Sequence, residues 1–207
     1  VERVNILGNN VTNDSVIRGE MIIDEGDPYS ALLLNKSVNK LKARNIFSKV
    51  ESYIKEGSEP NLKVIEIEVE EKATGELMAG AGVGTDGTSF MASVSENNWL
   101  GRGIRLQSSL NVSEEKLSGS VQVANPNYNY TNNMVYGSLS LASSDMKESS
   151  GYESSSTGIS LGTEFEQYEN IFLSPSFSMK HERIEAEDTA SAKIKKMDGT
   201  FTNIDFG

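Results

Sequence analysis

The chain has 207 residues and a net charge of −11, an acidic balance that argues against nucleic acid as a partner, since phosphates call for a basic face. It contains no cysteine, which removes disulfides, thiolate nucleophiles and cysteine metal sites, and its single histidine, His181, rules out multi-histidine metal sites and weakens any catalytic triad. No run of about 18 apolar residues occurs, so no transmembrane helix is expected; a membrane barrel is not excluded, because its strands hide their apolar half among polar residues.

Residues 1–72 mix helix and strand signals. Arg3 to Leu7 reads as a short strand, stopped by Gly8-Asn9-Asn10. Asn13 or Asp14 caps a short helix through Glu20, with Val16, Ile17 and Met21 on one face. Asp27-Pro28-Tyr29-Ser30 opens a second helix, in which Leu33, Leu34, Val38 and Leu41 form an apolar stripe, and Phe47 follows as a core residue. Val50 to Lys55 reads as a strand, Gly57 to Asn61 as a turn, and Leu62 to Glu71 as a strongly alternating strand. The expected order is β-α-α-β-β, enough for a small two-layer core.

From residue 73 onward the signals are almost all strand. Leu77, Ala79, Ala81 and Val83 alternate with Met78, Gly80, Gly82 and Gly84. Similar alternation places Phe90, Ala92 and Val94, then Leu106, Leu110 and Val112, then Leu117, Val121 and Val123 on apolar faces. Val135, Leu139 and Leu141, then Ile159, Leu161 and Phe165, then Leu173, Phe177 and Met179 continue the pattern, and a last strand starts in Thr200 to Phe206. Strands of about ten residues fit a tilted membrane crossing.

The connections alternate in kind. One set, 97–102, 125–133 and 166–170, carries Trp99, Tyr128, Tyr130 and Tyr168. The other, 85–87, 113–116, 143–154 and 185–199, is polar and lengthens along the chain. An up-and-down sheet puts alternate connections on opposite rims, so one rim is aromatic and short and the other polar and long. That asymmetry is the pattern of an outer-membrane barrel, and it reads the four aromatics as membrane-interface anchors, against plain turn packing.

At this point the residues carry a resemblance. Ile6-Leu7-Gly8-Asn9, Val16 to Glu20, Glu25-Gly26-Asp27 and Val69 to Lys72 resemble a POTRA domain over residues 1–72. Ala73-Thr74-Gly75, Ala79 to Gly84, Asn97 to Gly101 and Asn125-Pro126 resemble the start of the barrel of the BamA family of outer-membrane assembly proteins, over residues 73–207. The resemblance implies an α+β POTRA domain in the periplasm, followed by antiparallel up-and-down transmembrane β-barrel strands. These would be the first seven to eight strands of a barrel of about sixteen. The opening at Val1 and the close in mid-strand read as a piece of a longer protein.

The function implied is insertion and folding of β-barrel proteins into the bacterial outer membrane. The partners implied are unfolded barrel clients, accessory assembly lipoproteins and outer-membrane lipid, with no enzyme activity, cofactor, nucleotide or nucleic acid. The first strand, Leu77, Met78, Ala79, Gly80, Ala81, Gly82, Val83, Gly84 and Thr85, would border a lateral gate and pair with incoming client strands. Glycine weakens strand pairing, which suits a seam, and also eases barrel curvature; both readings stand. The alternatives are a related POTRA-barrel transporter for one dedicated partner, and a soluble β-rich binding module. In the soluble case Leu106, Leu110, Val121, Val123, Leu139 and Leu161 would face a second sheet.

Other motifs weigh less. Gly82 to Gly87 matches G-x-G-x-x-G, but a strand pattern follows where nucleotide binding needs a helix. Asp24, Glu25 and Asp27 precede a helix, where acids complement the dipole. Glu66, Glu68 and Glu70 line one strand face, either solvated or a docking face, with residues 3–7 or 50–55 as the edge for an added strand. His181 reads as a surface or lumen side chain, and triplets such as Asn10-Val11-Thr12 carry no weight.

Overall fold

The computed structural model describes residues 1–84 and 87–207. Two compact units are present. One holds Val1–Gly75, Glu96–Arg105 and Pro126–Asn132, the other the rest of the described chain.

In the first unit, β1 (Arg3–Leu7), α1 (Asp14–Arg18), α2 (Ala31–Ala43), β2 (Phe47–Glu56) and β3 (Lys63–Glu71) follow the expected order. β3 is central, parallel to β1 and antiparallel to β2. Its period-two pattern explains that place: Ile65, Ile67 and Val69 are buried, while Glu68 and Glu70 are exposed on the other face. Glu66, on that outer face, pairs with Lys55 at 2.7 Å. The core closes with Val4, Ile17, Ile23, Leu34, Val38, Leu41, Ile46, Phe47 and Val50. Ser30 caps α2, its Oγ accepting from Leu33 N–H at 3.4 Å. The apolar stripe of α2 is interrupted by fully buried Ser37, whose hydroxyl donates to the Leu33 carbonyl and accepts from Ile22 N–H at 2.8 Å. A polar residue can sit there only because both its hydrogen-bonding roles are filled. β2 begins at Phe47 rather than Val50, through a bulge that seats the Phe47 ring in the core.

The remaining strands are β4 (Gly75–Gly84), β5 (Gly87–Trp99), β6 (Ile104–Ser113), β7 (Lys116–Tyr128), β8 (Asn133–Met146), β9 (Tyr152–Tyr168), β10 (Ile171–Leu173), β11 (Ser176–Ala186) and β12 (Gly199–Phe206). Short helices α3 (Lys147–Ser150) and α4 (Ala192–Lys195) lie in two connections. The sheet runs β4-β5-β6-β7-β8-β9-β11-β12, with β10 also paired to β9. The order is sequential, as expected of an up-and-down sheet, and among the described residues β4 and β12 lie at its two ends. β10 and β11 are one row interrupted at Pro175: Leu173 faces Phe165 and Ser176 faces Gly162, so the register carries through. Proline has no N–H to give the ladder.

One polar connection differs from expectation. The polar stretch 143–154 is mostly strand, because Ser143, Ser144 and Asp145 pair with Ser155, Ser154 and Glu153. Apolar alternation marks only part of β8 and β9, and the ladder runs on beyond it into polar residues.

Register sorts the side chains by face. Leu139, Ile159, Met179 and Ile204 lie in one row, and Leu161, Phe177 and Phe206 in another on the same face. Ser138 and Ser160 meet on the opposite face at 2.7 Å, as do Ser109 and Ser120 at 2.9 Å. Among the described residues of this unit, only Ile184 and Ala190 are buried hydrophobics. Leu110, Val121, Val123, Leu139 and Leu161 are exposed. Among the described residues the apolar face therefore has no second sheet against it, and a sandwich would have no interior here. His181 falls on the apolar side of the register, with its Nδ1 3.0 Å from Thr202 Oγ1.

Candidate functional site

β4 is the edge the sequence singled out. All ten of its residues are exposed, Leu77, Met78 and Val83 among them. One rim of β4 pairs with β5; the other has no strand beside it among the described residues. Gly80 lies across from Met91, whose thioether covers it, and Gly82 across from Ser89, whose Oγ reaches the Gly82 carbonyl at 3.4 Å. The glycines thus leave one face of the strand bare and open a hollow of about 520 Å³, floored by Gly80, Gly82, Met91, Asn111 and Ser118. Thr85 lies outside the described residues. Gly87 to Trp99 is strand, where a dinucleotide fingerprint needs a helix.

The aromatic turns build a different structure. In the first unit, Leu100, Gly101 and Gly103 adopt positive φ, so the chain reverses tightly. Asn98 holds the reversal from inside: its Oδ1 accepts from Gly103 N–H at 2.7 Å and its Nδ2 donates to Thr12 Oγ1 at 2.9 Å. The Asn13 N–H donates to the Gly101 carbonyl at 2.8 Å, and Arg44 Nη2 to the Gly103 carbonyl at 2.6 Å. A side chain at 101 would collide with the Val11 carbonyl, and one at 103 with the Arg44 guanidinium.

The second turn is organised by Asn127. Its Oδ1 accepts from Asn132 N–H at 2.8 Å, and its Nδ2 donates to the Gly19 carbonyl at 2.9 Å and to Glu20 Oε1 at 3.2 Å. Lys40 Nζ donates to Asn132 Oδ1. The Tyr130 ring lies against Gly19.

Charge underlies both seats. Glu20 and Arg44 are buried together, their nearest atoms 3.6 Å apart. Burial lowers the Arg44 guanidinium from its ordinary pKa and the neighbouring Arg105 adds to this, while Glu20 opposes it. Glu71 collects the N–H groups of Asn10, Val11 and Thr12 at 2.9, 2.9 and 2.6 Å, shaping the loop that offers Thr12 to Asn98. Burial alone would raise the Glu71 carboxyl, but the donors of Thr12, Val11 and Asn10 together outweigh it and hold it below the usual range.

Of the sequence-predicted aromatics, Trp99, Tyr128 and Tyr130 belong to the first unit and Tyr168 to the second, and all four are largely exposed. Tyr130 is the one seen packing on a helix end. Sequence reasoning missed Thr12, Glu20, Arg44 and Glu71 as the groups that seat the turns. The only signal was the density of Asn and Gly in the turns, because their partners lie 59 to 108 residues away. Among the described residues, no group of three or more His, Asp or Glu could hold a metal ion.

The comparisons with known proteins agree with this geometry. The POTRA profile (surface antigen variable number repeat) matches residues 1–72, and the Omp85 superfamily domain matches residues 98–207. The outer membrane protein assembly factor BamA of Neorickettsia risticii is 26% identical over 97% of this chain. A putative outer membrane protein assembly factor of Treponema pallidum is 35% identical over 50%. The chain spans 27% and 13% of those relatives' lengths. BamA from Haemophilus ducreyi lacking POTRA domains 1–3 shares the fold at a TM-score of 0.77 and 20% identity, covering 99% of this chain and 42% of that one. CdiB from Escherichia coli shares it at 0.64 and 13%, covering 99% and 40%. A POTRA domain ahead of barrel strands, matched over both parts, places the chain in the Omp85 superfamily, as a member of the BamA family.

Proposed function

We propose that this chain works in the folding and insertion of β-barrel proteins into the outer membrane, with β4 as the strand that client chains meet. The observation that carries the reading is β4 itself: an exposed, glycine-interrupted strand at the edge of a sheet that has no second layer. Backbone N–H and C=O groups cannot enter hydrocarbon unpaired. An edge strand offers a client those partners before it leaves water, by strand addition. Burial of client apolar surface and strand pairing would drive insertion, without nucleotide hydrolysis.

The protein is an outer-membrane protein, with its POTRA domain in the periplasm. In this reading the domain division falls at residue 73, and residues 1–72 receive unfolded clients and accessory lipoproteins. Leu77 to Gly84 pair with the client, and Thr85 closes the same segment. Trp99, Tyr128 and Tyr168 anchor at the lipid interface, while Tyr130 divides its ring between that role and Gly19.

The likeness to CdiB means that the fold does not by itself separate assembly from transport of one dedicated partner. Photo-crosslinkers placed at Leu77, Met78, Ala81 and Val83 in cells test the point. Adducts with many different nascent barrels support assembly. Adducts with one protein support transport, and no adduct at any of the four positions refutes a client-pairing role for β4.

A further inference from the structure

The POTRA loop from Gly8 to Thr12 is pinned at every residue. Gly8, at φ +89°, lies so close to β3 that a side chain there would strike the Val69 carbonyl. Asn9 Nδ2 donates to the Thr12 carbonyl at 3.1 Å, Glu71 takes the N–H groups of Asn10, Val11 and Thr12, and Thr12 Oγ1 accepts from Asn98. Within this frame Val11 holds its side chain outward, 69% exposed. A single exposed valine is ordinary. The neighbours of this one are not. The Val11 carbonyl lies where a side chain on Gly101 would have to go, and the two residues before Gly101 are Leu100 and Trp99, 71% and 44% exposed. Leu100 sits at φ +55°, a left-handed conformation that is unfavourable for leucine and easy for glycine. Its side chain gains little burial in exchange for that strain.

We propose that Val11, Leu100 and Trp99 form one lipid-facing patch, by which the POTRA loop itself enters the head-group region of the periplasmic leaflet. The turn that bears Leu100 and Trp99 joins β5 to β6, strands on which Phe90, Val94 and Leu110 are exposed. A turn that closes membrane-crossing strands lies where hydrocarbon meets head groups, the level that tryptophan favours. A loop whose backbone touches that turn shares its depth. The composition fits a lipid occupant: in an acidic chain, neither Gly8 to Asn13 nor Asn97 to Gly101 carries a charged side chain. The Glu71 arrangement fits it as well. Backbone N–H groups that leave water need partners of their own, and those of Asn10, Val11 and Thr12 all have one. The inference rests on the reading of Trp99 as an interface anchor and adds to it a contact made by the POTRA domain.

The test uses the full chain folded into phosphatidylethanolamine–phosphatidylglycerol vesicles that contain phospholipid brominated on its acyl chains. Trp99 is the sole tryptophan, so its quenching in the parent reads the depth of the turn directly. In a Trp99→Phe background, Val11→Trp reads the loop and Ser58→Trp serves as control. Ser58 is exposed in the turn between β2 and β3. It lies at the Lys63 end of β3, whereas the loop is held at the Glu71 end, about 26 Å away at about 3.3 Å per residue. The probe at position 11 should be quenched by brominated lipid about twofold or more above the probe at position 58, and should be shielded from aqueous iodide. The proposal is overturned if the two probes are quenched alike by lipid and are equally open to iodide. It is also overturned if position 11 is shielded from both quenchers, since a protein surface then covers it. In either case, quenching of Trp99 in the parent leaves the anchor reading standing. Quenching at position 11 without quenching of Trp99 removes the anchor reading and upholds the loop contact.

Discussion

Glu71 offers the sharpest check on how the first turn is seated. Its carboxylate accepts three backbone N–H groups, from Asn10, Val11 and Thr12. Glu71→Ala removes all three hydrogen bonds, but the cost is unequal. Asn10 and Val11 are at or near the surface, so water replaces their lost bonds. Thr12 is 2% exposed, so its N–H is stranded, which costs about 1–3 kcal/mol. The loop that presents Thr12 Oγ1 to Asn98 loosens too, so the total effect on the turn should be about 2–3 kcal/mol, or roughly a 30- to 150-fold loss of amide protection at Thr12 and Asn13. Acid should mimic the substitution. The folded carboxyl lies below its ordinary value, so its contribution is complete above the unfolded value of about 4.3 and is lost as pH falls through the lowered folded value. Exchange normalised for its intrinsic pH dependence should therefore show an acid limb at Thr12 and Asn13 in the parent and none in Glu71→Ala. An identical acid limb in both proteins, or unchanged protection at Thr12, would refute the assignment.

Other substitutions test other links. Gly101→Val combines a β-branched residue at φ +69° with a collision on the Val11 carbonyl, and should destabilise the turn by about 3 kcal/mol, read as lost protection at Asn13 and Gly103. Ile67→Ala opens a cavity in a fully buried site and should cost the first unit about 2–5 kcal/mol by the same exchange measurement. Ile159→Arg puts charge on the apolar face and should cost about 2–4 kcal/mol in folding into lipid vesicles, whereas Ser160→Arg, one residue on and facing the other way, should cost about 1 kcal/mol or less; equal effects would contradict the face assignment.

The contrast between what the sequence disclosed and what it hid is physical. Alternation is a local property, so Ile65, Ile67 and Val69 against Glu66, Glu68 and Glu70 were readable as two faces of one strand, and the sheet of the second unit followed from the same rule. Ser37 was not readable as a core residue, because its burial depends on Ile22 N–H arriving from a loop. The strands beyond the apolar stretch at Ser143 to Asp145 were hidden because a polar ladder has no hydropathy signature. The seats of the turns were hidden for the deepest reason. Asn98 and Thr12 are 86 residues apart, and Asn127 and Glu20 are 107 apart, and nothing local to either end announces the other.

Among the described residues, β4 and β12 are tied to the sheet to different degrees. β12 is tied to β11 by side chains as well as backbone: Phe177 and Phe206 meet at a tilt of 55° with centroids 5.4 Å apart, His181 meets Thr202, and eight residue pairs are in register. Cross-strand aromatic and polar pairs of this kind each add about 0.2–1 kcal/mol. β4 faces β5 with glycine at 80, 82 and 84, so on that face only Met91 and Ser89 reach across, and they find backbone. On that face no pair of side chains meets across the strands, and ordering glycine adds an entropy cost. A strand with fewer side-chain ties is the easier one to part from its neighbour. The glycines that made the first strand conspicuous in the sequence therefore also distinguish it energetically from the far edge. Filling the bare face should tighten the seam: Gly82→Val supplies a side chain opposite Ser89 in a strand whose φ is not constrained. If seam opening limits client entry, that substitution should slow assembly while leaving the protein folded, and assembly that is unaffected would separate the glycine pattern from the gate and leave curvature as its reason.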